Sequence, residues 1–254
     1  MSKNLVITIM AAGEGKRMNS SLPKVLHKFK NIPMLVRIIK ESLIISNKII
    51  IITGKYDELI KKTINEYILD ILELEKLQYV QQKNPCGTGD AIKSTLHLYN
   101  KNELVVILNG DMPLINSELL NKFIHDNTNN SIMVCSLENP KGYGRIIYEN
   151  NNNNNNNNNK FIKIQEEKDC SEDQKKIKIV NCGLYKFESE LLLKYIPQIN
   201  NNNNQKEYYL TDILEILINN QYMIDTYLLD ESDNKYIMGV NNQEELKNLE
   251  KYIL

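Results

Sequence analysis

Short, unbroken apolar runs constrain the fold of this chain more than any other feature. Leu5–Met10, Ile49–Thr53 and Leu104–Leu108 are strand-sized, and amphipathic stretches separate them. One such stretch begins at Pro33 and places apolar residues at helical spacing. Continuous apolar strands that alternate with helices predict a parallel sheet covered on both faces. No run approaches the ~18 residues of a membrane-spanning helix.

The alternation weakens after about residue 130, where strands become more frequent. We therefore predict an α/β fold: a Rossmann-like, mostly parallel sheet flanked by helices, with a smaller β-rich portion forming one side of an active-site cleft. The 254 residues suit a single domain, residues 1–254, divided at about residue 130. The later strands are predicted at Ile132–Ser136, Arg145–Tyr148, Phe161–Gln165 and Ile177–Phe187, and helices at Tyr56–Leu74, Glu188–Tyr195, Thr211–Asn219 and Asn242–Tyr252.

Two asparagine tracts, Asn150–Asn159 and Asn200–Asn204, interrupt the pattern. Such runs contain no apolar side chains to bury, and each lies between structured segments. We predict that both are surface loops. Because the cost of closing a loop rises slowly with its length, the fold can accept them.

Charge and targeting signals exclude several classes of partner. The formal net charge of −1 gives no overall field that would recruit nucleic acid or an anionic membrane, so any phosphate site must be local. The N-terminus carries no cleavable signal pattern, and the four cysteines form no CxxC pair. We expect a cytoplasmic protein that binds neither nucleic acid nor a membrane, while its oligomeric state stays open.

A glycine-containing loop directly follows the first predicted strand. Its glycines allow backbone amides to approach a phosphate or a base, and Arg17 and Lys24 add two cations nearby. The dinucleotide fingerprint fails at Met18, so a plain strand-to-helix turn remains an alternative. The candidate binding positions in the loop are Ala11, Ala12, Gly13 and Gly15.

Three further positions suit phosphate chemistry, each with a structural alternative. Asp111 follows a buried strand, where a carboxylate can hold Mg²⁺, although an aspartate after glycine is also common in turns. Asn241 offers an amide oxygen, but an asparagine in this position is more often the cap of the helix that follows. Gly87 and Gly89 open a helix at Thr88, whose free N–H groups could meet a base carbonyl or could serve ordinary capping.

The stretch AAGEGKRMNSSLPKVLH resembles the signature of the sugar nucleotidyltransferases, and most closely the uridylyltransferase domains of bacterial GlmU enzymes. Further segments match in family order: Gln82 with GTGDA, NGDMPL, GYGRI, IQEEKD, VNCG, EYYLTD and GVNN. Three positions depart from the family pattern: Met10, Asn109 and Glu167.

The resemblance implies that the chain transfers UMP from UTP to N-acetylglucosamine-1-phosphate and releases pyrophosphate. Alternatives are another sugar-1-phosphate or nucleoside triphosphate, or a catalytically silent ligand-sensing relative. The sequence shows no hexapeptide repeat, so we expect no acetyltransferase activity.

The resemblance also assigns roles to residues. It makes residues 1–130 the nucleotide-binding half and residues 131–254 the sugar-binding half. The implied catalytic residues are Arg17, Lys24 and Asp111; the nucleotide contacts are Ala11, Ala12, Gly13, Gly15, Lys24, Gln82, Gly87 and Thr88; the sugar contacts are Gly110, Gly144, Glu166 and Asn181; and Mg²⁺ is held by Asp111 and Asn241.

Overall fold

A computed structural model describes residues 3–126, 128–149 and 160–252. The tract Asn150–Asn159 therefore lies outside the described residues. The Asn200–Asn204 tract is described and runs through a segment without helix or strand, between the 3-10 turn at Ile196–Gln198 and the helix at Asp212–Asn219.

A nine-stranded mixed sheet forms the centre of the described structure. Seven strands follow the order β11-β7-β10-β6-β1-β4-β5, and the hairpin β8–β9 joins the sheet through β10. The strands are β1 (Asn4–Met10), β2 (Lys28–Phe29), β3 (Ile32–Pro33), β4 (Ile49–Thr53), β5 (Leu77–Gln81), β6 (Glu103–Asn109), β7 (Ser131–Ser136), β8 (Arg145–Tyr148), β9 (Phe161–Gln165), β10 (Ile179–Glu188) and β11 (Asp225–Leu228), of which β2 and β3 pair separately.

Helices cover both faces of the sheet, as continuous apolar strands require. In β4 all five residues are buried; Ile49 and Ile51 pack on one side, and Ile50 and Ile52 on the other. The helices are α1 (Met34–Ile45), α2 (Asp57–Tyr67), α3 (Ile71–Leu74), α4 (Thr88–Thr95), α5 (Ser117–Ile124), α6 (Ser189–Tyr195), α7 (Asp212–Asn219) and α8 (Gln243–Leu249). The first face is covered by α1, α2 and α5, and the second by α4, α6 and α7.

Strand direction decides where a site can form. Strands β5, β4, β1 and β6 are parallel neighbours, so their carboxyl ends share one edge of the sheet. Strand β10 runs antiparallel to both β6 and β7, and β8–β9 form an antiparallel hairpin beside it. The predicted mostly parallel sheet with a smaller β-rich portion is confirmed.

Several boundaries differ from the sequence prediction. The helix predicted over Tyr56–Leu74 is divided, because the Asp70 side chain accepts a hydrogen bond from the Leu72 N–H and starts α3 as a new helix. Helix α5 was not predicted; Asn116 caps it by accepting from the Leu119 N–H at 2.8 Å. Strand β11 was also missed, since only four half-exposed or exposed residues form this edge strand. Within the described ranges, no helix is long and apolar enough to cross a membrane.

Candidate active site

The loops that follow β1, β5 and β6 surround a cleft of about 690 Å³ at the shared carboxyl edge of the sheet. The ladder of hydrogen bonds continues beyond the strands and fixes these loops. The Ala11 N–H donates to the Ile52 carbonyl at 2.9 Å, and the Gly110 N–H donates to the Met10 carbonyl at 2.9 Å. The lining residues include Ala12, Gly13, Gly15, Arg17, Lys24, Gln82, Gly87, Thr88, Asn109, Asp111 and Glu207.

Backbone conformation shapes the first loop. Gly15 has φ of 65°, a left-handed value that glycine adopts without steric cost. A Cβ at this position would collide with the Lys24 side chain. The bare backbone of Gly15 therefore lets the Lys24 side chain cross the loop and enter the cleft.

Four polar side chains meet at one end of the cleft: Arg17, Lys24, Asp111 and Asn241, which we call the cation cluster. The Lys24 ammonium forms an ion pair with the Asp111 carboxylate and lies 3.5 Å from Asn241 Oδ1. Arg17 donates to the same Oδ1 at 2.9 Å. Arg17 and Asn241, which are more than 200 positions apart along the chain, are thus in direct contact.

A backbone hydrogen bond explains how Asn241 reaches Asp111. The Val240 N–H donates to the Asp111 carbonyl at 2.9 Å, which holds the chain before α8 against the end of β6. The alternative role for Asn241, as a helix cap, belongs to its neighbour instead. Asn242 caps α8 by accepting from the Glu245 N–H at 2.8 Å, so the Asn241 amide oxygen is left to accept from Arg17 and Lys24.

The oxygen atoms of the cation cluster are suited to a divalent metal. Asp111 and Asn241 offer a carboxylate and an amide oxygen that both approach one ammonium, so a positive charge is stable between them. Mg²⁺ prefers such hard oxygen ligands and often takes few from protein. Across the described ranges, no group of three or more His, Cys, Asp or Glu side chains could hold a metal.

The loop at residues 86–89 begins α4, and we call it the nucleotide loop after its predicted role. Gln82 is buried and donates through Nε2 to the Asp90 carboxylate at 2.6 Å and to the Gly87 carbonyl at 3.2 Å. Thr88 begins the helix, with Gly87 at the cap position. One N–H group at this helix start is already paired, since the Gly89 N–H donates to the Tyr208 carbonyl at 2.7 Å.

Three predicted sugar contacts form a second group, the hairpin wall: Gly144, Glu166 and Asn181. The Asn181 N–H donates to the Gly144 carbonyl at 2.9 Å, and a Cβ on Gly144 would lie 3.6 Å from either Glu166 carboxylate oxygen. Tyr185 Oη receives a hydrogen bond from Asn181 Nδ2 at 2.6 Å. The fourth predicted contact, Gly110, lies instead beside Met10 at the end of β6.

The electrostatics of the hairpin wall are acidic. Glu166 lines a neighbouring cavity of about 460 Å³ together with Asp169, Asp212 and Glu215. Burial raises the pKa of Glu166, a hydrogen bond from Thr211 partly opposes this, and nearby Asp169 and Glu207 raise it further. Burial also raises the pKa of Asp212 to about 6, with Glu166 the next contributor.

Sequence reasoning missed two residues that support the hairpin wall. Arg145 is fully buried and forms an ion pair with Glu167 at 2.6 Å, which ties the hairpin to the segment after β9. Thr211 donates to Glu166 Oε1 at 2.9 Å. The available signal for Thr211 was the EYYLTD segment, which matched the family without an assigned role.

Comparison with known proteins settles the family. The model of the family described as "Nucleotidyl transferase" matches residues 6–233. The chain belongs to the nucleotidyltransferase family. A solved structure, UDP-glucose pyrophosphorylase complexed with UDP-glucose, has the same fold, with a TM-score of 0.73 at 17% identity and 98% of each chain covered.

Relatives of this nucleotidyltransferase agree with the resemblance found in its sequence. It is 41% identical to a protein of Acanthamoeba polyphaga mimivirus named "Probable UDP-N-acetylglucosamine pyrophosphorylase", covering 98% of this chain and 96% of that one. It is 39% identical to the bifunctional protein GlmU of Helicobacter pylori, covering 98% of this chain and 54% of that one. The chain thus spans about half the length of the GlmU protein. The predicted resemblance to sugar nucleotidyltransferases and to one domain of GlmU is confirmed.

Proposed function

We propose that this nucleotidyltransferase transfers UMP from UTP to N-acetylglucosamine-1-phosphate. A phosphate oxygen of the sugar phosphate attacks the α-phosphorus of UTP and forms a new P–O bond. The bond between the α-phosphorus and the bridging oxygen breaks, and pyrophosphate leaves with the electron pair. The products are UDP-N-acetylglucosamine and pyrophosphate, and no protein nucleophile takes part.

The cation cluster is the observation that carries this proposal. Lys24 and Arg17 place two positive charges beside the open backbone of the first loop, at one end of the cleft. Cations fixed at that point would neutralise the triphosphate and the charge that develops on departing pyrophosphate. Catalysis of this kind depends on positioning and on charge stabilisation in a preorganised site.

Asp111 and Asn241 are the residues that would hold Mg²⁺ in this proposal. Bound there, the metal would supply positive charge shared between the phosphates of the two substrates. In the present arrangement the Lys24 ammonium lies between the same two oxygens. Lys24, which lines the cleft, would contact phosphate beside this metal site.

The remaining predicted residues divide between base and sugar. Gln82, Gly87 and Thr88 line the cleft and would contact uracil. Ala12, Gly13 and Gly15, which also line it, and the buried Ala11 would lie along the nucleotide. Gly110, Gly144, Glu166 and Asn181 would hold the sugar. The names of relatives such as the mimivirus protein support N-acetylglucosamine-1-phosphate as the acceptor.

The test is a matrix of four nucleoside triphosphates against several sugar-1-phosphates, each with and without Mg²⁺, read as pyrophosphate release and as nucleotide-sugar by mass spectrometry. We expect the highest kcat/KM with UTP and N-acetylglucosamine-1-phosphate, and loss of turnover when the metal is chelated. Absence of pyrophosphate release in every pairing would favour a catalytically silent protein and contradict the proposal.

A further inference from the structure

The segment Glu207–Asp212 separates the two cavities of the site. Glu207 lines the 690 Å³ cleft, while Tyr209 and Asp212 line the 460 Å³ cavity beside the hairpin wall. Tyr209, Leu210 and Thr211 are at most 7% exposed, so the segment is packed into the protein. We call it the connecting segment, because its hydrogen bonds extend in both directions.

One end of the connecting segment holds the nucleotide loop. The Tyr208 N–H donates to the Cys86 carbonyl at 2.8 Å, and the Gly89 N–H donates back to the Tyr208 carbonyl at 2.7 Å. The Leu210 N–H donates to Thr88 Oγ1 at 2.9 Å. Gly87 has φ of 109°, and a Cβ there would lie 2.5 Å from the Tyr208 carbonyl oxygen. The loop and the segment therefore lie backbone against backbone.

The other end holds the sugar-side carboxylate. Thr211 Oγ1 donates to Glu166 Oε1 at 2.9 Å, and Thr211 itself is buried. Leu210, between the two contacts, packs in the core with α7. Asn203 fixes the beginning of the segment by donating through Nδ2 to the Glu207 carbonyl at 2.6 Å. A displacement of the nucleotide loop would therefore be transmitted to Glu166 through a buried stretch of a few residues.

We propose that the connecting segment couples the two substrate sites, and that Thr88 and Thr211 are its positioning residues. Binding of the nucleotide at Gly87 and Thr88 orders the loop, the segment and Glu166 together, so the sugar phosphate then binds a site that is already ordered. By linkage, the sugar phosphate must tighten nucleotide binding by the same factor. This inference rests on the proposed function, since it takes the loop and Glu166 as contacts of the two substrates.

Calorimetry on the whole chain tests the coupling. N-acetylglucosamine-1-phosphate is titrated with and without saturating α,β-methylene-UTP, an analogue whose α–β bridge cannot break. We expect the wild-type chain to bind the sugar phosphate at least about fivefold more tightly with the analogue, as for a typical allosteric coupling. We call the ratio of the two affinities, with and without the analogue, the coupling factor. In Thr88→Val and in Thr211→Val, the analogue should change the affinity for the sugar phosphate by no more than about twofold, although the two residues lie at different sites.

Two controls separate positioning from loss of structure. Thr88→Ser and Thr211→Ser keep the hydroxyl and should keep the coupling. Thr63→Val removes a hydroxyl that bonds only within α2, to the Leu59 carbonyl, and should leave the factor unchanged. Thermal melting of each variant confirms that it folds.

Two results would overturn the inference. In the first, the analogue leaves the affinity of the wild-type chain for the sugar phosphate unchanged. In the second, Thr88→Val weakens only nucleotide binding and Thr211→Val only sugar-phosphate binding, with the factor unchanged.

A chain that binds the analogue but no sugar phosphate would contradict the proposed function instead. Hydrogen exchange then decides the inference. Analogue binding must slow exchange at residues 165–167 in the wild type and fail to do so in Thr211→Val.

Discussion

The cation cluster and the hairpin wall differ in charge and in how the chain builds them. The cation cluster sets Arg17 and Lys24 against one carboxylate, Asp111, at the ends of parallel strands. The hairpin wall places Glu166 in front of Asp169 and Asp212, on an antiparallel hairpin and its neighbours. The positive charges of the cation cluster suit phosphates, whereas the acidic groups around the hairpin wall suit uncharged hydroxyl and amide groups. In the proposed function, the sign of the local field would orient a sugar phosphate with its phosphate toward Lys24.

Removing the carboxylate of the cation cluster should have the largest effect. Asp111→Ala is expected to lower kcat by about a hundredfold or more, because several kcal/mol of transition-state stabilisation depend on the charge it contributes. Asp111 is half-buried at a strand end, so its loss opens no core cavity. The measurement is steady-state kinetics across a Mg²⁺ titration, with circular dichroism to confirm folding.

Matched variants sharpen this result. Asp173→Ala removes an exposed carboxylate elsewhere on the surface and should leave kcat unchanged. Asn241→Ala should lower kcat less than Asp111→Ala, because water can replace a neutral ligand, and the double variant should be less than additive. A near-wild-type kcat in the folded Asp111→Ala variant would contradict the proposal that Asp111 holds the metal.

A change in the hairpin wall should act on the sugar alone. Glu166→Gln keeps an oxygen that can accept from Thr211 but loses the charge. We expect kcat/KM for the sugar phosphate to fall about tenfold or more, as for loss of a hydrogen bond to a charged group, with the KM for UTP little changed. Glu172→Gln, an exposed neighbour, is the control. An equal rise in both KM values would mean that the two groups do not divide the substrates as proposed.

The acidic character of the second cavity predicts a pH-dependent stability. Burial raises the pKa of Asp212 from 3.8 to about 6, so the folded state favours the protonated form. Its stabilising contribution is therefore complete below about pH 4 and is lost as pH rises through 6. Asp212→Asn should be more stable than wild type by roughly 1–2 kcal/mol at pH 8, after allowance for solvent screening, and no more stable at pH 4. Urea unfolding at both pH values measures this; equal differences at both would contradict it.

The smallest effect is expected from the long asparagine tract. Deleting most of Asn150–Asn159 should leave kcat/KM within about twofold, since the cost of closing a loop changes slowly with its length. The Asn200–Asn204 tract provides the contrast, because Asn203 and Asn204 bond to Glu207 and to Lys168. A tenfold loss of kcat/KM on the first deletion, with unchanged melting temperature, would show that this tract contributes to catalysis.

The same contrast explains what could be predicted from sequence. The site residues of the parallel half could be predicted because they lie in the loops that follow apolar strands, as Asp111 follows β6, and the carboxyl ends of these strands share one edge of the sheet. The position of Asn241 came from family resemblance, since it depends on long-range contacts such as the hydrogen bond from the Val240 N–H to the Asp111 carbonyl. The role of Thr211 could not be predicted, because its bond to Glu166 depends on how a hairpin and a distant helix start pack together. Edge strand β11 was too short and too exposed to give a periodic signal.

The central claim is that the cation cluster promotes transfer of the nucleotidyl group from UTP to the sugar phosphate, while the hairpin wall selects the sugar. One competition experiment tests it directly: the wild-type chain receives UTP, Mg²⁺ and equal amounts of N-acetylglucosamine-1-phosphate and glucose-1-phosphate, and both nucleotide-sugars and pyrophosphate are quantified during the first turnovers. We predict one pyrophosphate for each nucleotide-sugar, with UDP-N-acetylglucosamine at least about tenfold in excess, because buried polar groups left unpaired penalise the smaller sugar. Equal amounts of the two nucleotide-sugars, or nucleotide-sugar formed without pyrophosphate, would contradict it.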